Sequence, residues 1–468
     1  MDVFLQGLKG VIDALGATVL LPVIIFFIAL IMGAKPGRAF RAGVTIGIAF
    51  IGINLVINLM WATLSDVGQA MVTNLNIQRD VVDVGWPSAA AIAFGTEVGL
   101  WVIPIAIVVN IIMLALRWTK TLNIDIWNYW HFAFLGSMVF VATGNLLYGL
   151  IASAIGAALA LFLGDWTAKA VQHFYQVPGI SIPHLTTAPG VPFAIVTNWV
   201  IDRIPGLRDL DADPETIREK LGVFGEPVIL GLVIGIILGL LGFYNAGDFQ
   251  TALVKVLQTG MNLAAVMLLL PRMVQILMEG LIPVSEAARD FMQKRASGRE
   301  IYIGLDSAIL IGHPAAISSS LVLVPIAILL SIILPGNRVI LFADLAIIPF
   351  VVALFAPLMR GNIVRMIIAG TLELLVGFYI ATGMASFFTG AAQNAGFALP
   401  ENALQITSIG DGFLWPQWVF TRFTQWMGPI GLLLLAVLLG VAIFFYNRNS
   451  RQWEIAAGAP ADEAAAAD

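Results

Sequence analysis

About eleven apolar runs, each long enough to cross roughly 30 Å of hydrocarbon, dominate this chain of 468 residues. They fall near 15–32, 42–62, 97–116, 127–143, 146–163, 224–243, 251–280, 316–334, 339–358, 366–386 and 428–446. Such a chain cannot fold in water. Only 11% of its residues are charged and 59% are hydrophobic, whereas a soluble domain carries about a quarter charged residues. In lipid the chain must satisfy its own backbone N–H and C=O groups, which leaves helices as the spanning element here. The expected fold class is an all-α polytopic membrane protein of about 11 transmembrane helices.

Basic residues orient the spans, because Lys and Arg concentrate in inner loops. With the amino terminus outside, eighteen of the 24 Lys and Arg residues fall on the inner side and four on the outer. The expected topology is therefore N-terminus outside and C-terminus cytoplasmic. Residues 1–13 lack the basic stretch and small-residue cleavage site of a signal peptide, so the first apolar run is expected to be retained. The Ala-rich acidic tail after Trp453 reads as disordered and cytoplasmic.

Composition excludes several chemistries. The net charge of −5 offers no basic patch for nucleic acid. The absence of cysteine removes disulfides, thiolate zinc sites, iron–sulfur clusters and cysteine nucleophiles. No phosphate-binding loop of the G-x-x-x-x-G-K-[ST] type occurs, and the four histidines show no metal-ligand spacing. No metal or cofactor is expected.

The chain also resembles itself. Ile103-Pro104-Ile105-Ala106-Ile107 reads against Val324-Pro325-Ile326-Ala327-Ile328 at an offset of 221, and Arg117 meets Arg338 at the same offset. Asp125 matches Asp344, Gly144-Asn145 matches Gly361-Asn362, and Pro22-Val23-Ile24 matches Pro227-Val228-Ile229. Five spans per copy is an odd number, so the second copy is expected to thread the bilayer in the opposite sense. Inverted repeats of this kind hold a substrate near mid-membrane where they meet. The expected organisation is a first repeat over 1–163, a connector over 164–223, a second repeat over 224–386, an outer loop and last span over 387–446, and a tail over 447–468. Two Gly/Pro-broken segments, 83–96 and 303–320, read as re-entrant hairpins of the two copies. Pro178–Trp199, with four prolines, reads as a third dip into the membrane or a segment at its interface.

Ionisable groups at membrane depth are functional candidates. Asp306, in Gly-Leu-Asp-Ser, can accept several hydroxyl hydrogen bonds, which suits a sugar or polyol, though an aspartate is also a favoured helix cap. His184 and His313 lie in Pro-broken segments, and His131 follows an aromatic cluster that also fits an interfacial belt. Trp86 can stack on the carbon face of a sugar or pack within its hairpin. Glu226 precedes a span, where a carboxylate also favours the helix dipole. Asp83 reads as the cap of the first hairpin.

Taken together, the motifs DVGWP at 83–87, NIDIWNYWH at 123–131, SIPHLTT at 181–187, FGEPV at 224–228, GLDSAILIGH at 304–313 and LPGNRV at 334–339 are distinctive. In these the chain resembles the galactitol-type membrane component (IIC) of the bacterial phosphoenolpyruvate-dependent sugar phosphotransferase system. The resemblance implies a fold related to the ascorbate permease of that system, a homodimer with a scaffold and a core that carries substrate as an elevator. It implies that a polyol is phosphorylated on the inner side of the bacterial inner membrane by a separate IIB subunit, itself charged by IIA. With no cysteine, this chain cannot contain a phosphocysteine IIB domain of its own. By the same resemblance Trp86, His131, His184, Asp306 and His313 hold the substrate; Glu226 stands beside them as a candidate from its own position. Two other readings remain open at this point: an ion-coupled secondary transporter using Asp306 or Glu226, and an intramembrane hydrolase using Asp83 and Asp306.

Overall fold

A computed structural model describes residues 7, 10, 19 and 22–461, apart from 75–78, 211, 296–299, 342 and 400–402. The expected retained amino terminus lies outside the described residues, as does the end of the tail. Among the described residues, seven helices are long and apolar enough to cross a membrane, which fits an all-α membrane protein. They are α2 (Pro36–Asn74), α4 (Glu97–Ala115), α6 (Leu146–Phe174), α10 (Phe249–Arg295), α11 (Pro314–Ile333), α14 (Ile363–Asn394) and α17 (Pro429–Ala456). Four shorter apolar helices accompany them: α1 (Pro22–Ile31), α5 (Trp130–Thr143), α7 (Gly190–Ile201) and α9 (Pro227–Phe243). The rest are α3 (Trp86–Gly95), α8 (Pro214–Leu221), α12 (Ile348–Val352), α13 (Phe355–Leu358), α15 (Ile409–Gly412) and α16 (Trp415–Met427).

Two expectations are corrected. The run at 339–358 is not one span: it begins as a short strand, passes through a 3₁₀ turn at Leu345–Ile347 and continues as the short helices α12 and α13. Pro349 and Pro357 sit in that run, and each ring removes a helical N–H and crowds the preceding turn. The tail, expected to be disordered after Trp453, stays helical to Ala456 beyond a kink at Asn449. Trp453 packs edge-on against Trp166, with centroids 4.9 Å apart, and its carbonyl accepts the Trp166 indole N–H at 2.6 Å. Burial of a large ring outweighs the low propensity of the flanking sequence for order.

The helices sort into two packing groups. Helices α2, α9 and α10 lie mainly against one another, and α3–α7 with α11–α17 form the larger group. Glycines on one face of α9 permit the first arrangement: a Cβ on Gly235 would stand 2.7 Å from the Gly260 Cα of α10, and one on Gly239 would stand 2.9 Å from the Val256 Cα. Close backbone approach of this kind supplies the van der Waals contact that holds helices together in lipid.

Six short strands occupy the larger group: β1 (Val81–Asp83), β2 (Thr121–Asn123), β3 (Ile180–Ser181), β4 (Tyr302–Gly304), β5 (Val339–Ile340) and β6 (Gln405–Thr407). They form two parallel sheets of three, ordered β5-β1-β6 and β2-β4-β3. Pairing satisfies the backbone of these extended segments, which would otherwise be costly among apolar helices. Both segments expected to be hairpins begin with such a strand, β1 in one and β4 in the other. Gly304 is required by its neighbours, since a Cβ there would lie 2.8 Å from Pro183 and 2.9 Å from Asn123.

The strands' amino-terminal ends carry matching ion pairs. Asp80, before β1, pairs with Arg338, before β5, and the same guanidinium reaches Gln405 at 2.8 Å. The Arg338 hydrogen bond holds the Asp80 carboxyl below its ordinary range. Glu300, before β4, accepts Lys120 at 3.1 Å and Lys169 at 2.7 Å. Burial alone would raise the Glu300 carboxyl, but the Lys169 hydrogen bond and the charges of both lysines outweigh it and hold it down to about 2. A carboxyl depressed in the folded state stabilises above its unfolded value and loses that contribution as pH falls toward the folded one. Glu300→Gln should therefore lower the unfolding temperature at pH 7, and the difference from the parent should shrink between about pH 5 and pH 2. Its size corresponds to less than about 1 kcal/mol, because the pair is half-exposed. A difference that stays constant across that range in thermal unfolding scans would contradict the assignment.

Candidate functional site

The carboxyl-terminal ends of all six strands converge on one cavity of about 370 Å³. The residues that follow the strands line it: Trp86 after β1, Asn128 and His131 after β2, His184 and Thr186 after β3, Asp306 after β4, Asp344 after β5 and Gly410 after β6. Helix α2, from the other packing group, closes one side with Phe50, Asn54, Ile57, Asn58 and Trp61. The size lies in the usual range for a small-molecule site.

Backbone geometry aims these side chains. After β1 the chain turns through Gly85 at φ +84°, a conformation that glycine adopts without strain, and α3 then starts at Trp86. Asp344 clamps that start. One of its oxygens accepts the Trp86 N–H at 3.0 Å; the other accepts the Ser408 hydroxyl at 2.6 Å and the Gly410 N–H at 3.0 Å. Asp83 works behind it, accepting the Gly85 N–H at 3.0 Å and the Asp344 N–H at 2.8 Å. Asp83 is thus a buried cap. It does not line the cavity, so it forms no hydrolytic pair with Asp306 there.

Asp306 caps the 3₁₀ turn Ser307–Ile309 through the Ala308 N–H at 2.7 Å, and its second oxygen accepts the Asn128 amide at 2.9 Å. The same amide nitrogen donates to Asp125 at 2.6 Å, so one side chain bridges two carboxylates. His184 lies 3.8 Å from Asp306 through Nε2. A buried line of polar groups runs back from it: His184 Nε2 to His131 Nε2 at 3.3 Å, His131 Nδ1 to Asp411 at 2.9 Å, and Asp411 to the Gln417 amide at 2.6 Å. Among the described residues His184 Nδ1 and Gln417 Oε1 find no hydrogen-bond partner. Trp61, Trp86 and Trp130 also line the cavity, side by side with centroids 6.4 and 6.3 Å apart.

Four of the six residues expected from sequence therefore meet in one cavity: Trp86, His131, His184 and Asp306. Two stand apart. Glu226 is an exposed residue ahead of α9, where it lies at the helix start. His313 caps α11 by accepting the Ala315 N–H at 3.2 Å, and its ring packs on Phe174 and Tyr175 at centroid distances of 4.7 and 5.5 Å. Aromatic packing holds that imidazole away from the cavity. Asn54, Asn58, Asn128, Asp344 and Asp411 were not singled out, although amides four residues apart in an apolar run and the repeat match of Asp125 with Asp344 carried a signal.

Among the described residues no Lys or Arg lines the cavity. Amides, imidazoles, carboxylates and indoles together make a surface that exchanges hydrogen bonds with hydroxyls and covers carbon. The comparisons with known proteins agree with this chemistry. The family model for EIIC-GAT, the PTS system sugar-specific permease component, matches residues 11–402. The PTS system galactitol-specific EIIC component of Escherichia coli strain K12 is 38% identical over 448 residues, covering 96% of this chain and 97% of that protein. The protein of the same description from Escherichia coli O157:H7 matches at 38% identity over the same shares of both chains. With the family model matching residues 11–402 and the relatives aligned over 96% of its length, the chain belongs to the EIIC-GAT family of sugar-specific permease components of the phosphotransferase system.

Proposed function

We propose that this chain is the translocating IIC subunit for galactitol or a closely similar polyol, which a separate IIB protein, charged by IIA, phosphorylates on the cytoplasmic side. The observation that carries this reading is the cavity itself: hydrogen-bonding side chains from four strand ends line it together with a tryptophan cluster, with no fixed cation among the lining residues. Asp306, Asn128 and His184 accept and donate to the hydroxyls, His131 supports His184, and Trp86 covers the carbon chain.

The packing groups suit an elevator, with α2, α9 and α10 as scaffold and α3–α7 with α11–α17 as the moving core. The cavity sits at their junction, where a core displacement would carry it past α2. The strand order supports an inverted repeat. If β1, β2 and β3 correspond to β4, β5 and β6, then each sheet has a central strand from one copy flanked by two from the other. The Asp80–Arg338 and Glu300–Lys120 pairs occupy equivalent positions under the same correspondence. On this reading the two pairs lie on opposite faces of the inner membrane, with the amino terminus outside and the carboxyl terminus cytoplasmic, as the loop charges favour. The resemblance to the ascorbate permease favours a homodimer.

Purified protein should bind galactitol saturably by calorimetry, and proteoliposomes supplied with phosphorylated IIB should accumulate it only as its phosphate. Accumulation of unmodified polyol driven by an ion gradient, without IIB, would overturn the proposal.

A further inference from the structure

We propose that Asp306 and Asp344 act as built-in anions that exclude the phosphorylated product, so the site selects the neutral polyol and releases it once it is charged. This rests on the reading of the cavity as the polyol site. Turns between a strand and a helix ordinarily make good phosphate seats, because backbone N–H groups point out of them. Here those groups are already taken. Asp344 holds the N–H groups of Trp86 and Gly410, and Asp306 holds that of Ala308. No Lys or Arg lines the cavity among the described residues. One imidazole is engaged at both ring nitrogens: His131 Nδ1 faces Asp411, and its Nε2 faces His184.

A phosphomonoester carries about −1.5 to −2 charges at pH 7. In this cavity it would meet carboxylates in a partly desolvated space, where like charges repel more strongly than in water. The neutral polyol meets the same carboxylates as hydrogen-bond acceptors. One set of side chains therefore attracts the substrate and repels the product, which gives uptake a direction after phosphoryl transfer without a further gate.

The test is competition against labelled galactitol on the purified full chain, using three competitors. These are unlabelled galactitol, galactitol phosphorylated on a terminal hydroxyl, and a neutral terminal ether of similar bulk. The phosphate should compete at least about 100-fold more weakly than galactitol, and the ether less than about 10-fold more weakly. Between pH 5 and pH 8 the phosphate should weaken further relative to the ether, as its second proton leaves near pH 6. In Asp306→Asn the gap between phosphate and ether should narrow by about tenfold. A phosphate that competes within tenfold of galactitol, or a gap unchanged by pH, would overturn the inference even if the variant does not fold. Failure of the parent protein to bind galactitol at all would instead overturn the functional reading.

Discussion

Asp344→Ala is expected to leave little folded protein. The carboxylate is 1% exposed and accepts two backbone N–H groups and a hydroxyl from two separate segments. Truncation strands those donors away from water, at about 1–3 kcal/mol for each buried unsatisfied group. Two or three such groups approach the whole stability of an ordinary domain, roughly 5–15 kcal/mol. The expected result is a loss of most monodisperse material in size-exclusion chromatography and a clear fall in unfolding temperature for what remains. Asp344→Asn keeps one accepting oxygen and should recover part of the loss. An alanine variant of parental yield and thermal stability would show that the clamp on Trp86 does not organise the centre.

Asp411→Asn is expected to act on binding rather than folding. The carboxylate accepts from His131 Nδ1, which leaves His131 Nε2 as the acceptor for His184 Nε2–H. That tautomer follows from the hydrogen-bond partners. In the variant an amide N–H can face His131 Nδ1, so the proton moves to His131 Nε2 and His184 Nε2 must accept. The ring edge 3.8 Å from Asp306 then changes from donor to acceptor and opposes the carboxylate. A buried hydrogen bond reversed in this way costs about 1–3 kcal/mol, or roughly 5–150-fold in affinity. Calorimetry with galactitol should show that loss while the unfolding temperature changes little. Unaltered affinity would place Asp411 outside the machinery that orients His184.

Some of this site could be read along the chain because its residues break a local rule. Asp306, His184 and Trp86 sit beside Gly or Pro in otherwise apolar stretches, and a polar group in such a setting is costly unless something recovers the cost. The same logic also picked Glu226 and His313, which do not line the cavity. Both break the rule equally well in sequence, yet one lies exposed at a helix start and the other serves as a cap between two aromatic rings. Asp411 stands in Ile-Gly-Asp-Gly-Phe, a local pattern that fits a turn equally well. Only its contact with His131, 280 positions away, gives it another role. The run at 339–358 was misread for a related reason: hydropathy records apolar content, whereas strand pairing and two prolines decide backbone shape.

The sequence by itself determined the solvent, the helical class, the family and the chemistry that the chain excludes. Those properties depend on composition, on runs of neighbouring residues and on motifs, all of which are local. Tertiary structure alone decided that six strands from distant parts of the chain point at one cavity, and that α2 of the other packing group completes it. It also decided which buried acids face that cavity and which merely hold the backbone. Those outcomes depend on pairings across more than a hundred residues, and a parallel strand of three residues has no periodicity long enough to announce its partner.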